Sequence, residues 1–289
     1  MHSSWKHLIA RITLLAACLG RVASGATPAE FPFELREGLI WVEVRVAESP
    51  APLHFLLDSG AGLSVINLGT LERISHLRGK RITVQGVETT AVGYWPQHLA
   101  VADGSFPLAA DLLALDLREL SRGCHRTVDG LVGVDFFRGR SVCLDFRQKV
   151  LRLGGAGEGT PSDSITLPVE VGGGALHLSI AVNGHPGQRV RLDTGCAGAL
   201  HWVGSPGPRQ PVEPHVSVAL APLNVPLVDT VVSLGPLRFD GVRTGLHKRE
   251  MFPGEAGLVG NDLLCRFRAV TVDEPARRIV FEGVSSAVP

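Results

Sequence analysis

The sequence predicts a mostly β chain of two duplicated lobes with few short helices, and three observations carry that prediction. An apolar run delivers Asp58-Ser59-Gly60 and passes into a second apolar run, over LHFLLDSGAGLSVI from Leu53 to Ile66. The arrangement returns over RVRLDTGCAGAL, Arg189 to Leu200, around Asp193-Thr194-Gly195. Each copy is followed by an apolar-apolar-glycine string, GLVGVDFF from Gly130 and GLVGNDLL from Gly257, with 75 residues from Asp58 to Gly133 and 67 from Asp193 to Gly260. Shared motif order at nearly equal spacing is the mark of an internal duplication.

Composition agrees with two packed lobes. The chain has 289 residues, 45% of them hydrophobic, which is enough for a real core. Its 34 glycines and 19 prolines suit many short strands joined by tight turns. Lys+Arg and Asp+Glu balance at 28 each, so the basic stripe of a nucleic-acid binder is missing and no such partner is expected.

Residues 1–26 read as a secretory signal. Lys6 and Arg11 precede the apolar segment Ile12 to Gly20, and the small residues Ala23 to Ala26 follow. That apolar segment is too short to span a bilayer. Export to a periplasm or beyond is the expectation, with cleavage near Gly25 or Ala26. The alternative is a lipoprotein: Leu15-Ala16-Ala17-Cys18 has the form of a lipidation box, which would anchor the chain through Cys18. Cys124, Cys143, Cys196 and Cys265 remain, and their number allows either two bridges or four buried thiols.

The first lobe covers residues 31–153. Leu39 to Val46 has strand character, and the turn from Ser49 to Pro52 feeds the strand that ends at Leu57. Asn67 can cap a short helix carrying Leu71, Ile74 and Leu77 and stopping at Gly79. A hairpin of Ile82 to Val84 with Ala91-Val92 follows, with Gly86 near its tip. Next come a strand at Leu99 to Val101, a hairpin turn at Asp103-Gly104, an apolar run Leu108 to Leu117 and a polar loop Leu120 to Val128. Phe136-Phe137 forms one helical turn closed by Gly139, and Ser141 to Phe146 with Val150 to Leu153 makes a closing hairpin.

The Gly/Pro/Ser-rich stretch 154–164 reads as a linker. The second lobe, 165–284, then repeats the order. Leu176 to Val182, Asn183-Gly184 and Gln188 to Leu192 form a hairpin ending on Asp193. Gly204 to Pro214 replaces the lobe-one helix with an irregular loop. Val216 to Leu220 and Val228 to Leu234 flank a turn at Pro222-Leu223-Asn224, Asp240-Gly241 echoes Asp103-Gly104, and Val270 to Asp273 with Arg278 to Phe281 echoes the closing hairpin.

One Asp-Ser/Thr-Gly is an ordinary turn after a strand. Two copies in matched settings suggest paired chemistry. Two carboxylates held face to face cannot both ionise cheaply, so they share a proton; one then acts as base on a water while the other donates. Gly60 and Gly195 would free the loop torsions and present backbone N–H groups to the carboxylates, while Gly133 and Gly260 would allow close backbone passage beside those loops. His-Glu-x-x-His, Gly-x-Ser-x-Gly, P-loop and Gly-x-Gly-x-x-Gly patterns are all missing, so no metal or organic cofactor is expected.

On these motifs the chain resembles the aspartic proteases, and over roughly residues 31–284 it looks like two short retropepsin-like lobes fused in one polypeptide. The resemblance implies the acid-protease, pepsin/retropepsin-like β-barrel fold with pseudo-twofold lobes. It implies Asp58 and Asp193 as the catalytic pair, and Ser59 and Thr194 as hydroxyls bracing the two loops across the interface. It further implies an aspartic endopeptidase acting on peptide or protein substrates as a monomer, with a catalytically silent peptide-binding protein of the same fold as the alternative. The hairpins near Gly86 and near Leu223 would be flaps, Gly86 and Gly93 giving the first its mobility, and Tyr94 is the candidate flap tyrosine. Cys196, standing where lobe one has Ala61, is expected beside the dyad as a thiol of low reactivity.

Overall fold

The computed structural model describes residues 29–76, 79–85, 90–154, 163–204, 212–215 and 223–284. In the first lobe β1 (Ala29–Arg36), β2 (Leu39–Val44) and β3 (Leu53–Leu57) form an antiparallel meander, and β4 (Val65–Asn67) follows the Asp58 loop. Helix α1 (Leu68–Ile74) starts on the Asn67 side chain, which accepts from the Gly69 N–H. After it come the hairpin β5 (Lys80–Gln85) and β6 (Thr90–Gln97), then β7 (Leu112–Leu115), α2 (Arg118–Gly123) and β8 (Gly130–Val132). A 3-10 turn, Val134–Phe137, leads to the closing hairpin β9 (Ser141–Asp145) and β10 (Val150–Leu153).

The second lobe runs β11 (Ser164–Pro168), β12 (Glu170–Gly172), β13 (Ala175–Val182), β14 (Gln188–Leu192), β15 (Leu200–Val203), β16 (Val212–His215), β17 (Leu223–Leu234) and β18 (Leu237–His247). It closes with β19 (Gly257–Val259), α3 (Asn261–Leu264), β20 (Phe267–Asp273) and β21 (Arg278–Val284). Neighbouring strands stand in the order β2-β3-β8-β4-β7-β6-β5 in one lobe and β13-β14-β19-β15-β18-β17-β16 in the other. Parallel pairs fall at matching places, β3 on β8 and β4 on β7, β14 on β19 and β15 on β18. The duplication legible in the motifs is therefore a duplication of the whole ladder.

The lobes are joined through their closing hairpins. β9 pairs antiparallel with β20, from Asp145 opposite Ala269 to Ser141 opposite Asp273, and β10 with β1 and β21 with β11 extend the ladder on both sides. A buried core continues through both halves, with Phe55, Phe136, Phe137, Phe267 and Phe281 among its largest closed-off side chains. Full burial of each such side chain contributes about 1.5–3 kcal/mol.

Several expected details differ. Leu99 to Val101 is no strand, making only the single bridge of Val101 to Val46, so Asp103-Gly104 is a turn without a hairpin. The expected polar loop after Leu120 contains α2, because Leu120 buries itself and Glu119 pairs with Arg122 one turn on, at 2.8 Å. Asp240-Gly241 lies inside β18, where the register against β17 shifts at Val231; Gly241 takes a positive φ of 64° in that bulge, and the true turn is Gly235-Pro236. Ser164, assigned to the linker, opens β11 opposite Glu282, and Val212 to Pro214 belong to β16 rather than to a loop. Leu77, Gly86 and the rest of 86–89, 155–162, the part 205–211 of the expected Gly204 to Pro214 loop, and 216–222 lie outside the described residues, as do 1–28 with Cys18. No described helix is long and apolar enough to cross a membrane, and Cys124, Cys143, Cys196 and Cys265 are unbridged thiols.

Candidate active site

The apolar-apolar-glycine strings explain how each aspartate is delivered. β8 lies parallel to β3 and β19 parallel to β14, so the Asp58 N–H donates to the Val132 carbonyl and the Asp193 N–H to the Val259 carbonyl, both at 2.9 Å. The glycine closing each string then passes against the returning loop. A Cβ on Gly133 would lie 2.4 Å from the Leu63 carbonyl carbon, and one on Gly260 would lie 2.3 Å from the Gly198 oxygen. The close passage expected of Gly133 and Gly260 is therefore a steric requirement.

The two loops meet across the lobe interface. The Ser59 N–H donates to Thr194 Oγ1 at 2.9 Å and the Thr194 N–H donates to Ser59 Oγ at 3.0 Å. Each hydroxyl donates onward into the opposite lobe, Ser59 Oγ to the Leu192 carbonyl at 2.8 Å and Thr194 Oγ1 to the Leu57 carbonyl at 3.0 Å. All four bonds are buried, and they bring Asp58 and Asp193 together with a hydrogen bond between their side chains. Gly60 N–H donates to Asp58 Oδ1 at 3.0 Å and Gly195 N–H to Asp193 Oδ1 at 2.9 Å, as expected.

The other role expected of those glycines needs correction. Neither Gly60 nor Gly195 has a positive φ. They are required by the opposite carboxylate: a Cβ on Gly60 would sit 2.5 Å from Asp193 Oδ1, and one on Gly195 would sit 2.4 Å from Asp58 Oδ1. Each glycine forms the floor under the other lobe's acid.

Burial governs the charge on the pair. It pushes the Asp58 carboxyl well above the ordinary carboxylate range, and the negative charge of Asp193 pushes it further. Burial also raises Asp193, but there the Arg191 guanidinium, the Gly195 N–H and the hydrogen bond with Asp58 pull the other way. The pair therefore holds one proton across a range in which isolated carboxylates have lost theirs.

The residues expected of the flaps are placed less closely. Tyr94 lies in β6 opposite Arg81 and Ala114, with its half-buried side chain packed on the lobe core. Gly93 is no hinge: a Cβ there would meet the Leu113 and Leu115 side chains at 2.8 and 2.9 Å, so it is a close-packing glycine. Leu223 is in β17 opposite His215, not at a turn. Leu63, Ile82, Val92 and Trp95, on the dyad loop and the β5–β6 hairpin, expose large apolar side chains.

Two groups beside the dyad were not singled out from the sequence. Asn261 Nδ2 donates at 2.7 Å both to the Gly38 carbonyl of lobe one and to the Thr194 carbonyl, adding a further tie between the lobes. Arg191 holds Glu255 through two contacts, Nε to Oε2 at 2.9 Å and Nη2 to Oε1 at 2.8 Å, and its Nη1 donates to the Gly60 carbonyl at 2.8 Å. The available signal was an arginine inside an apolar run, two residues before Asp193, where Asp58 has Leu56.

Cys196 is fully buried next to the dyad, its N–H donating to the Asp193 carbonyl at 3.2 Å. Burial first, then the Asp193 charge, pushes its thiol well up, which suppresses the reactive thiolate. Iodoacetamide at pH 7.5 should leave Cys196 unmodified in the folded protein and alkylate it only after denaturation, as peptide mass spectrometry would read. Alkylation of the native protein would contradict the closed setting.

No protein-family model matches this chain, and no curated protein matches it. Among solved structures it is similar to basic 7S globulin from soybean, at 13% identity and a TM-score of 0.52, over 88% of this chain and 94% of that one. At that identity the likeness bears on architecture alone, and with the repeated strand order described above it establishes a mostly β, two-lobed fold of the pepsin-like kind.

Proposed function

We propose that the chain is an aspartic endopeptidase of the retropepsin-like kind, with both halves of the dyad in one polypeptide. The observation that carries this reading is the reciprocal fit at the interface, where each lobe's glycine makes room for the other lobe's carboxylate and the Ser59–Thr194 hydroxyls lock both loops. A protein that only bound peptides would have no use for two desolvated acids sharing one proton.

In the proposed reaction a water held between the acids loses a proton to the ionised carboxylate as its oxygen attacks the peptide carbonyl carbon. The protonated carboxyl donates to the carbonyl oxygen, giving a neutral tetrahedral diol. The proton taken from water then passes from that carboxyl to the amide nitrogen, the carbon–nitrogen bond breaks, and a diol hydroxyl returns a proton to the carboxylate that had donated to the carbonyl oxygen. The exposed Leu63 on the dyad loop, with Ile82 and Trp95 on one face of the β5–β6 hairpin, supports extended, largely apolar peptides as substrates. One carboxylate from each lobe supports a monomer, and residues 1–26 support export of the enzyme, with anchoring through Cys18 as the alternative.

Incubation with a random peptide library between about pH 3 and pH 7 tests the reading. Cleavage products blocked by a statine peptide are expected. A library left intact across that range, by a protein that unfolds cooperatively, would turn the reading to the peptide-binding alternative.

A further inference from the structure

One buried cluster beside the dyad breaks the repeat between the lobes in charge. In lobe one Trp41, Leu56 and Val128 are packed together with apolar neighbours. The duplication matches them to His177, Arg191 and Glu255: Trp41 faces Leu56 across β2 and β3 as His177 faces Arg191 across β13 and β14, and Val128 and Glu255 each stand two residues before the first glycine of GLVG. All three lobe-two side chains are buried. Arg191 lies over the Phe252 ring, its guanidinium carbon 3.5 Å from the ring centre, which closes its outer face. A buried ion pair is often no more stabilising than well-packed apolar residues of similar volume, so fold stability alone does not explain the replacement.

Its position suggests another account. Arg191 lies near the end of β14, and Asp193 directly follows that strand, two residues on. The guanidinium donates to the carbonyl of Gly60, the residue whose α-carbon abuts the Asp193 carboxylate. Asp58 has Leu56 at the corresponding place, an apolar side chain where Asp193 has a cation. We propose that Arg191 is a positioning residue that settles which acid of the pair is ionised: Asp193 carries the charge and acts as base, while Asp58 keeps the proton and acts as acid. The catalytic roles rest on the function proposed above; the order of ionisation does not.

The surrounding charges are consistent with that assignment. At Asp193, Arg191 is the largest influence opposing burial, whereas at Asp58 the chief electrostatic influence is the charge of Asp193 itself. Glu255 works against Arg191 at Asp193, but its carboxylate is engaged by that guanidinium and by His177, and it is held down at about 2, so it stays charged throughout the working range. His177 places Nε2 2.7 Å from Glu255 Oε1 and Nδ1 2.8 Å from an Arg189 nitrogen; because arginine only donates, Nδ1 accepts and Nε2 carries the proton. Arg189 is tied in turn to exposed Glu170. Cys196, a further titratable neighbour, is kept as a thiol by burial and by the charges of Asp193, Asp58 and Asp262.

The test is the double variant Arg191→Leu/Glu255→Val, which installs the lobe-one residues at two of the three matched positions and leaves no orphaned Glu255 charge. Site-specific 13C-carboxyl titration of Asp58 and Asp193 reads the order of ionisation, and the pH profile of kcat/KM reads its catalytic consequence. In the unaltered protein the first proton lost should come from Asp193. In the double variant the charge should be divided between the two acids, and the acid limb of the profile should move up by about one pH unit. Arg191→Lys, which keeps the cation, should hold most of the original limb. First ionisation at Asp58 in the unaltered protein would overturn the proposal whether or not the variants fold, as would an unmoved limb in a folded double variant. A protein that cleaves nothing yet ionises Asp193 first would refute the protease reading and leave this inference standing.

Discussion

Asp58→Asn and Asp193→Asn should each lower kcat/KM for peptide cleavage by about 10,000-fold, the upper range for loss of a general acid or base. Asparagine matches the shape of aspartate, so the Ser59–Thr194 bracing and the facing glycines are undisturbed. What goes is the ability to take a proton from water or to give one to the carbonyl oxygen. Stability should move the other way. The folded-state affinity of Asp58 for its proton is raised, so the folded state binds more protons than the unfolded one above the ordinary carboxylate range. Stability therefore falls as pH rises from the unfolded carboxyl value through the folded one. Asp58→Asn removes that penalty, and its Tm at pH 7 should equal or exceed that of the unaltered protein. Full cleavage by either variant would end the two-acid mechanism, while loss of cleavage together with unfolding would point to a structural role.

Thr194→Val should cost about 2–6 kcal/mol of unfolding free energy. Valine fills the same volume, but the Ser59 N–H loses its acceptor and the Leu57 carbonyl its donor, both inside the lobe interface. An orphaned buried polar group costs about 1–3 kcal/mol, and two are made. Ser59 Oγ keeps its own bonds to the Leu192 carbonyl and the residue-194 N–H, so the loss is half of the bracing. Thr194→Ser retains the hydroxyl and should stay near the unaltered value. Urea unfolding at fixed pH measures both. A Thr194→Val protein within about 0.5 kcal/mol of the parent, the range of ordinary surface substitutions, would show that the bracing is incidental.

Much of the fold was legible because its signals are local. Asn183-Gly184 marks the β13–β14 turn, with both residues at positive φ, and Asn67 caps α1. The matched Asp-Ser/Thr-Gly and GLVG strings gave away the duplication, and with it both acids. Where the decisive contact is remote, the sequence was silent. The pairing of β9 with β20 joins strands from opposite lobes and has no local signature. The glycines at 60 and 195 looked like torsional necessities because the atoms that forbid a Cβ there belong to the other lobe. Asp240-Gly241 misled because the same dipeptide serves a bulge as well as a turn, and only pairing across β17 separates the two. Arg191 went unnoticed because its partners lie at residues 60 and 255.

The contrast between Leu56 and Arg191 has a consequence for how such a protein can arise. When a symmetric assembly is built from identical copies, any change near its axis is written twice, so a cation introduced to favour one acid appears beside the other and the preference cancels. Carrying both copies in tandem on one polypeptide lifts that constraint, since each half mutates alone. On this view the value of joining the halves lies less in holding them together than in letting them become different.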